Sequence, residues 1–216
     1  MLQLFGHPFS SYTWKVLIPL WANGIPFEFR QLGPDRPDTG AEFARLSPFG
    51  QFPLLLDDGV PVAESTVIIE HLQAHHPGAN RWIPDGEEGR RVRFLDRVFD
   101  LRVMANMQVP VSDALRPSEH RDPYGVEQAR GRLRQAYDWL ETQLGGEWAV
   151  GAHFTLADCA AAPSLFYADW VQEIGPARPK LAAYRARLLA HTAVARAVDE
   201  ARPYRAYFPL GTPDRD

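Results

Sequence analysis

The chain has 216 residues, a formal net charge of −4 and 45% hydrophobic residues. This much apolar material can fill the core of one large domain or of two small ones, and it is typical of a soluble globular protein. The only dense cationic run, EEGRRVR around Arg90 to Arg93, includes two glutamates. A nucleic-acid partner is therefore not expected, because phosphate binding requires clustered Lys and Arg.

The sequence also argues against a membrane protein and against a disulfide-stabilised one. No apolar run approaches the roughly 18 residues that a membrane span requires, and MLQLFGHPFS lacks the cationic segment and apolar core of a secretory signal. Cys159 is the only cysteine, so no internal disulfide can form. We expect a cytoplasmic protein from a reducing compartment.

Up to about His76, the sequence predicts alternating strands and helices. Asn23-Gly24 is a suitable stop for the first helix, and Asp57-Asp58-Gly59 is a suitable hairpin turn. The predicted order is strand, helix, strand, loop, two hairpin strands and helix: MLQLFGH, Ser11 to Ala22, PFEFRQL, Gly33 to Gly40, LLL, VPVA, and the segment after Ser65 that ends at His75.

The hydrophobic period changes in the second half of the chain. PGANRWIPDGEEG predicts a linker because it is rich in Pro, Gly and charge. Beyond it, apolar residues recur at helical spacings of three and four. Thr155 to Asp158 has a capping-box pattern, and Pro179 suits the first position of another helix. We predict an α/β domain at residues 1–78, a linker at 79–89 and an all-helical domain at 90–216.

The turn between the first strand and the first helix, GHPFSSYTWKV, is a candidate anion site. A helix that begins at Ser10 or Ser11 presents unpaired N–H groups and a positive dipole end, which stabilise an anion by about 0.3 to 1 kcal/mol. A serine hydroxyl there can donate a hydrogen bond to a bound thiolate and lower the pKa of the thiol. The alternative is that Ser10 only caps the helix, since serine is a preferred N-cap residue.

A second candidate site lies in the stretch QFPLLLDDGVPVAES. Pro53 cannot donate to a sheet ladder, which suggests that the backbone there serves another partner. Ser65 begins a helix, but Ile68 stands where a capping box would place Glu or Gln. The Ser65 hydroxyl and the nearby N–H groups are thus available to a carboxylate, and Glu64 could take an ammonium group. Alternatively, both residues only stabilise the helix start.

Three segments together resemble the glutathione transferase superfamily over nearly the whole chain: SSYTWKV, QFPLLLDDGVPVAES and FTLADCAAAP. SSYTW is especially similar to the serine-type pattern of the zeta and theta classes. The resemblance implies a thioredoxin-like βαβ-ββα domain followed by a C-terminal helical bundle. It also implies glutathione as co-substrate, a homodimer, and a cytoplasmic enzyme with a role in detoxification.

The resemblance also implies roles for single residues. It puts the catalytic serine at Ser10, with Ser11 as the alternative because a slip of one residue exchanges them. It makes Pro53 a cis-proline that turns the Phe52 backbone towards the cysteinyl part of glutathione.

Further along the ligand, Glu64 and Ser65 would hold the γ-glutamyl end, and Gln51 would lie within reach of the tripeptide. Arg36 and Arg45 are the candidates for the glycyl carboxylate. The electrophile pocket is expected at Phe9, Tyr12, Met104, Met107 and Gln108, with Trp170, Tyr204, Tyr207 and Phe208 as residues that close it.

His71 and His75 are four residues apart on a predicted helix, a spacing compatible with metal binding. No third ligand lies nearby in the sequence, and no glutamate completes an HExxH pattern. We therefore predict no metal site.

The leading hypothesis is a glutathione transferase that ionises the thiol at Ser10 and conjugates or transforms a small electrophile. The alternative is a non-catalytic binding or assembly module, although such a module would need neither the Ser10-Ser11 turn nor the Glu64-Ser65 pair. A third hypothesis is a specialised glutathione-dependent isomerase, dehalogenase or lyase. The zeta pattern usually has cysteine where Tyr12 stands, which weakens the isomerase hypothesis.

Overall fold

The computed structural model describes residues 1–214 and 216. The N-terminal part has the order β1 (Leu2–Gly6), α1 (Ser11–Ala22), β2 (Glu28–Gln31), α2 (Pro37–Leu46), β3 (Leu54–Asp57), β4 (Val60–Ala63) and α3 (Ser65–His75). The C-terminal part has α4 (Gly86–Val98), a π-helical segment (Phe99–Met104), α5 (Ala105–Ala114), α6 (Pro123–Gln143), α7 (Leu156–Val171), α8 (Pro179–Ala190) and α9 (Thr192–Ala201), with short 3₁₀ helices at Ser118–His120 and Arg202–Tyr207. Within the described residues, no helix is both long and apolar enough to cross a membrane.

The four strands form one mixed sheet in the order β2-β1-β3-β4. β1 pairs parallel with β2, and the other two pairings are antiparallel. Leu4 therefore lies between Phe29 on one side and Leu55 on the other. This arrangement, with the helical bundle that follows it, confirms the predicted thioredoxin-like βαβ-ββα domain and C-terminal helical domain.

Helix α1 joins the two parts of the molecule. It packs against α3 on one side and against α7 and α9 on the other. Trp14 is fully buried, and its ring centroid lies 4.9 Å from that of Phe166 on α7. The Trp14 indole N–H donates to the Pro8 carbonyl at 2.5 Å. A large buried aromatic side chain thus fixes the turn before α1 against the helical domain.

Several local predictions are confirmed. α1 ends at Ala22 with Asn23 as its C-cap, and β3 and β4 form the predicted hairpin. The capping box of Thr155 and Asp158 begins α7, and Pro179 occupies the first turn of α8.

Two predicted boundaries are wrong. The segment Gly33 to Gly40 is a loop only in its first half, because α2 begins at Pro37. Phe43 is the one buried residue of this helix, so it carries almost no apolar stripe to recognise. The predicted linker at 79–89 overlaps the start of α4 at Gly86. The domain boundaries themselves stay a prediction.

Candidate active site

Two cavities meet beside the start of α1. The first, the apolar pocket, has a volume of about 470 Å³, and the second, the polar pocket, about 490 Å³. Both are lined by Tyr12, Gln51 and Phe52. The apolar pocket is further lined by Phe9, Ser10, Ser11, Gly50, Met107, Gln108, Val111, Leu115, Tyr167, Tyr207, Phe208 and Pro209. The polar pocket is further lined by Ser47, Phe49, Pro53, Ala63, Glu64, Ser65, Thr66, Val67, Arg97, Asp100 and Leu101.

Ser10 is both the N-cap of α1 and a wall of the apolar pocket. Its Oγ accepts the backbone N–H of Thr13 at 3.3 Å, and its own N–H donates to the His7 carbonyl at 2.9 Å. Because the hydroxyl acts as an acceptor in the cap, its proton stays available to a ligand. Ser11 lines the same pocket, and no hydrogen bond of its hydroxyl is found within the described chain.

The backbone around Phe52 is open to both pockets. The Phe52-Pro53 peptide bond is cis, in agreement with the cis-proline that the resemblance implies. Phe52 belongs to no strand, and within residues 1–214 and 216 its N–H and C=O have no backbone partner. A ligand with peptide groups can therefore pair with Phe52, which β3 leaves unpaired just before Leu54.

The start of α3 has no internal cap. Glu64 is its N-cap residue but forms no side-chain cap hydrogen bond. Its φ of 68° lies in the left-handed region, which is strained for a residue other than glycine. Ser65 is 7% exposed and lines the polar pocket. The first N–H groups of α3 and the Ser65 hydroxyl are thus left for an acceptor from outside the helix, and the Glu64 side chain lines the same pocket.

Both halves of the chain match models of one protein family. Residues 4–80 match the glutathione S-transferase N-terminal domain, and residues 123–187 match the glutathione S-transferase C-terminal domain. The chain belongs to the glutathione S-transferase superfamily. Its relatives, which are named glutathione S-transferases and maleylacetoacetate isomerases, make it a glutathione-dependent enzyme.

Relatives and solved structures cover nearly the whole of this transferase. A probable maleylacetoacetate isomerase of Vibrio cholerae is 29% identical over 94% of this chain and 97% of its own length. Glutathione S-transferase GstB of Escherichia coli K12 is 25% identical over 92% of this chain and 98% of its own length. The crystal structure of a Methylobacterium radiotolerans glutathione S-transferase in complex with glutathione sulfonate has a TM-score of 0.79 and 26% identity, and the match covers 91% of this chain and 94% of that one.

A buried ion network forms the floor of the polar pocket, and sequence reasoning missed it. Lys15 of α1 is 1% exposed, and its Nζ lies 2.6 Å from an Asp96 carboxylate oxygen and 2.7 Å from one of Asp100. Arg97 reaches the same two carboxylates at 2.7 Å and the Thr66 hydroxyl at 2.5 Å. The network joins α1, α3, α4 and the π-helical segment, and its opposite charges pair with one another within the protein, as buried charges require.

A signal for this network was present in the sequence. Lys15 stands within the apolar run of α1, WKVLIPL, where a charged residue that cannot reach solvent needs a charged partner. Asp96, near the end of α4, and Asp100, in the π-helical segment that continues it, are four residues apart, a spacing that puts two side chains on one face of a continuous helix. The sequence therefore indicates that Lys15 needs acidic partners, but which residues they are depends on the tertiary fold.

Tyr12 separates the two pockets as a neutral phenol. Burial, followed by the nearby Asp100 carboxylate, raises the pKa of Tyr12 to about 12. Near neutral pH its hydroxyl is therefore protonated and can donate a hydrogen bond. Tyr12 is thus a hydrogen-bond donor at the border of the two pockets, in addition to the hydroxyls of Ser10 and Ser11 that line the apolar pocket.

Four of the five residues predicted for the electrophile pocket line the apolar pocket, and the fifth does not. Phe9, Tyr12, Met107 and Gln108 line the apolar pocket, whereas Met104 does not. Both methionines are buried in the same hydrophobic core, at 1% and 3% exposure, but only Met107 also borders the cavity. Met104 ends the π-helical segment, where the wider helical turn rotates residues away from the positions that a 3.6-residue period predicts.

Some of the other residues predicted for the site line the apolar pocket, and others line neither pocket. The tail residues Tyr207 and Phe208 line the apolar pocket, but Trp170 and Tyr204 do not. Neither Arg36 nor Arg45 lines either pocket. The structure thus gives no support to these two arginines as partners of a glycyl carboxylate.

Proposed function

We propose that this chain binds glutathione in the polar pocket and conjugates it to, or uses it to transform, a small electrophile in the apolar pocket. The Ser10 hydroxyl donates a hydrogen bond to the glutathione thiolate and holds it in the ionised form. The γ-glutamyl carboxylate binds at Ser65 and the start of α3, and the γ-glutamyl ammonium binds at Glu64. The proposal includes a cytoplasmic homodimer, with the domain boundaries near residues 78 and 90.

One observation carries this proposal: two pockets of different character share a border at Tyr12, Gln51 and Phe52, and Ser10 lies beside that border. A peptide bound along Phe52 with its γ-glutamyl end at Ser65 would place its thiol near the start of α1. The positive end of the α1 dipole and the Ser10 hydroxyl both favour a negative sulfur. Holding the thiolate next to the electrophile adds the rate advantage of proximity.

The electrophile we propose is neutral and largely apolar. None of the described residues that line the apolar pocket is Lys or Arg, whereas Phe9, Tyr167, Tyr207 and Phe208 supply aromatic surface. Apolar guests gain from such walls, but an anionic substrate would lose its hydration without gaining a cationic partner. Met107 adds a flexible side chain that adapts to guests of different shape.

A second candidate function follows from the relatives. The Vibrio cholerae protein that is 29% identical carries the name of a probable maleylacetoacetate isomerase. Its named substrate has two carboxylates, which the apolar pocket of this chain has no cationic side chain to receive. Comparing turnover of a neutral aromatic electrophile with isomerisation of maleylacetoacetate decides between the two functions. Faster isomerisation would favour the second.

The central test follows thiolate formation. Glutathione is titrated into the wild type, Ser10→Ala, Ser11→Ala and the control Ser118→Ala, while thiolate absorbance and conjugation of a generic electrophile are measured. Each unit by which the thiol pKa is lowered corresponds to about 1.4 kcal/mol. We expect Ser10→Ala to raise the thiol pKa and slow conjugation, with Ser118→Ala unchanged because Ser118 is exposed and lines neither pocket.

Three results would change the assignment. An effect confined to Ser11→Ala would move the role from Ser10 to its neighbour. Unchanged thiolate formation in both variants would remove the serine mechanism. Failure of the wild type to bind glutathione would favour a non-catalytic binding or assembly module instead.

A further inference from the structure

The end of α3 and the end of β3 bring together three side chains that the proposed glutathione chemistry does not use. Asp57 is the last residue of β3, His71 lies within α3, and His76 follows that helix as its C-cap. The Nε2 atoms of His71 and His76 lie 2.8 Å and 2.7 Å from the same Asp57 carboxylate oxygen, Oδ2. Two imidazole nitrogens thus converge on one oxygen.

This cluster differs from the one that the sequence suggested. The helical spacing pointed to His71 and His75, and their rings do lie near each other, with centroids 4.5 Å apart. The ring that converges with His71 on Asp57 is that of His76, however. The third group, which could not be found near the histidines in the sequence, is supplied by the hairpin.

The distances suit a metal ion. One ligand atom from each residue can be chosen so that all three lie within 4.8 Å of one another. In a tetrahedral zinc site with Zn–N and Zn–O distances near 2.0 to 2.2 Å, neighbouring ligand atoms are about 3.3 Å apart. The two N···O distances of 2.7 Å and 2.8 Å need to open by only about half an ångström to reach that separation.

The surroundings allow an ion to enter. The three side chains are between 16% and 32% exposed, so they are held by their neighbours but remain reachable from solvent. A cavity of about 480 Å³ borders Asp57 and His76, and Glu28 and Asp58 also line it. Carboxylates along an entrance attract cations, and the open side leaves room for water as a fourth ligand.

We propose that Asp57, His71 and His76 form a binding site for a divalent transition-metal ion. Two imidazoles and one carboxylate are a donor set that zinc accepts readily and that copper and nickel also accept. The site is separate from the glutathione pocket, because none of its three residues lines that pocket and because His71 and His76 follow Ser65 by six and eleven residues, which is about 9 Å and 16 Å along the helix at 1.5 Å per residue. The ion would tie the end of α3 to the hairpin.

The test uses Zn²⁺ and Co²⁺ with the metal-free full chain. We expect one equivalent of Zn²⁺ to bind in calorimetry and to raise the unfolding temperature, and one equivalent of Co²⁺ to give the visible absorption of a site with nitrogen and oxygen ligands. Substitutions Asp57→Asn, His71→Ala and His76→Gln should each weaken Zn²⁺ binding by at least about tenfold, since even the loss of a residue that only supports a ligand costs that much.

His75→Ala is the matched control, because His75 lies on the same helix and its ring contacts that of His71, but it is outside the proposed ligand set. It should bind one equivalent of Zn²⁺ as the wild type does. If Asp57→Asn does not fold, His76→Gln at the helix end still tests the site. Absence of Zn²⁺ binding to the wild type, or equal losses in His75→Ala and His76→Gln, would overturn the proposal and leave the cluster as a hydrogen-bonded link between α3 and β3.

Discussion

The starts of α3 and α7 show two different uses of polar groups. At α7, the Asp158 carboxylate accepts the N–H of Thr155 at 2.8 Å and its hydroxyl at 3.0 Å, and both residues are fully buried. At α3, Glu64 forms no cap bond and Ser65 faces the polar pocket. One helix start is satisfied entirely within the fold, whereas the other leaves N–H groups to be satisfied by something else.

The start of α1 lies between these two cases. Ser10 caps the helix through Thr13 and also lines the apolar pocket. The three helix starts therefore predict three kinds of mutant: one that loses stability, one that loses ligand affinity, and one that loses some of each. The following experiments separate them, in order of decreasing expected effect.

The largest effect is expected at α7. Besides its bonds to Thr155, the Asp158 carboxylate accepts the Ala149 N–H at 2.8 Å and the Tyr184 hydroxyl at 2.7 Å. Asp158→Ala leaves several buried donors unpaired at about 1 to 3 kcal/mol each, so we expect the free energy of unfolding to fall by about 3 kcal/mol or more. Urea denaturation measures this change in the free energy of unfolding.

The control for this variant is Asp138→Ala, which removes a 67% exposed carboxylate paired with Arg178. An exposed ion pair contributes less than about 1 kcal/mol. The folded Asp158→Ala protein should still bind glutathione with normal affinity. Equal destabilisation by the two variants would show that the buried bonds of Asp158 contribute little.

The second effect is expected at α3. A hydrogen bond to a charged group contributes about 1.5 to 3 kcal/mol, so Ser65→Ala should weaken glutathione binding by roughly tenfold or more, as measured by calorimetry. Its stability should change by less than about 0.5 kcal/mol, because no hydrogen bond of the Ser65 hydroxyl is found within the described residues and alanine favours helices. This is the opposite of the pattern expected for Asp158→Ala.

Thr192→Ala is the matched control, since Thr192 begins α9 and the start of that helix likewise has no side-chain cap bond. It lies outside both pockets, so glutathione affinity should not change. A large loss of stability with unchanged affinity in Ser65→Ala would mean that Ser65 stabilises the helix and does not bind the ligand.

The third effect concerns the stability of α1. Replacing a serine N-cap by alanine costs about 0.5 to 2 kcal/mol, whereas glycine costs only a few tenths. Ser10→Ala should therefore lower the free energy of unfolding by about 1 kcal/mol, and Ser10→Gly should lower it much less. Both variants lose the hydroxyl, so both should show the same raised thiol pKa. If the thiol pKa rises in Ser10→Ala but not in Ser10→Gly, in parallel with the loss of stability, Ser10 acts only as a helix cap.

The sequence predicted elements whose signals are local. The first helix, the hairpin turn, the capping box of α7 and the residues at the two pocket-facing helix starts are encoded within a few neighbouring positions. The uncapped start of α3 was predictable because Ile68 stands where a capping residue would be expected. The left-handed backbone of Glu64 has no signal in the sequence.

What could not be predicted depends on distant parts of the chain or on an altered helical period. Lys15 meets Asp100 across 85 positions, and Asp57 meets His76 across 19. The resemblance put both Met104 and Met107 in the electrophile pocket, but Met104 ends the π-helical segment and does not line the apolar pocket, whereas Met107 does. Periodicity alone cannot indicate where a helix widens.

The smallest effect is a pH dependence at the turn before α1. Burial lowers the pKa of His7 below its ordinary value of 6.5, with a weaker opposing effect of Asp35. The unprotonated Nδ1 accepts the Phe9 N–H at 3.1 Å, a bond that protonation would break. The unfolded chain thus binds more protons than the folded one between the lowered pKa and 6.5. This contribution to stability is complete above pH 6.5 and is lost as the pH falls through that window, by less than about 1 kcal/mol, the usual net value of one hydrogen bond.

His7→Asn keeps an acceptor near that position but does not titrate. In urea denaturation at pH 7.5 and at pH 5.5, the wild type should therefore lose more stability between the two pH values than His7→Asn does. The same loss in both proteins would exclude His7 as the titrating group and leave the Ser10 cap as the main local support of this helix start.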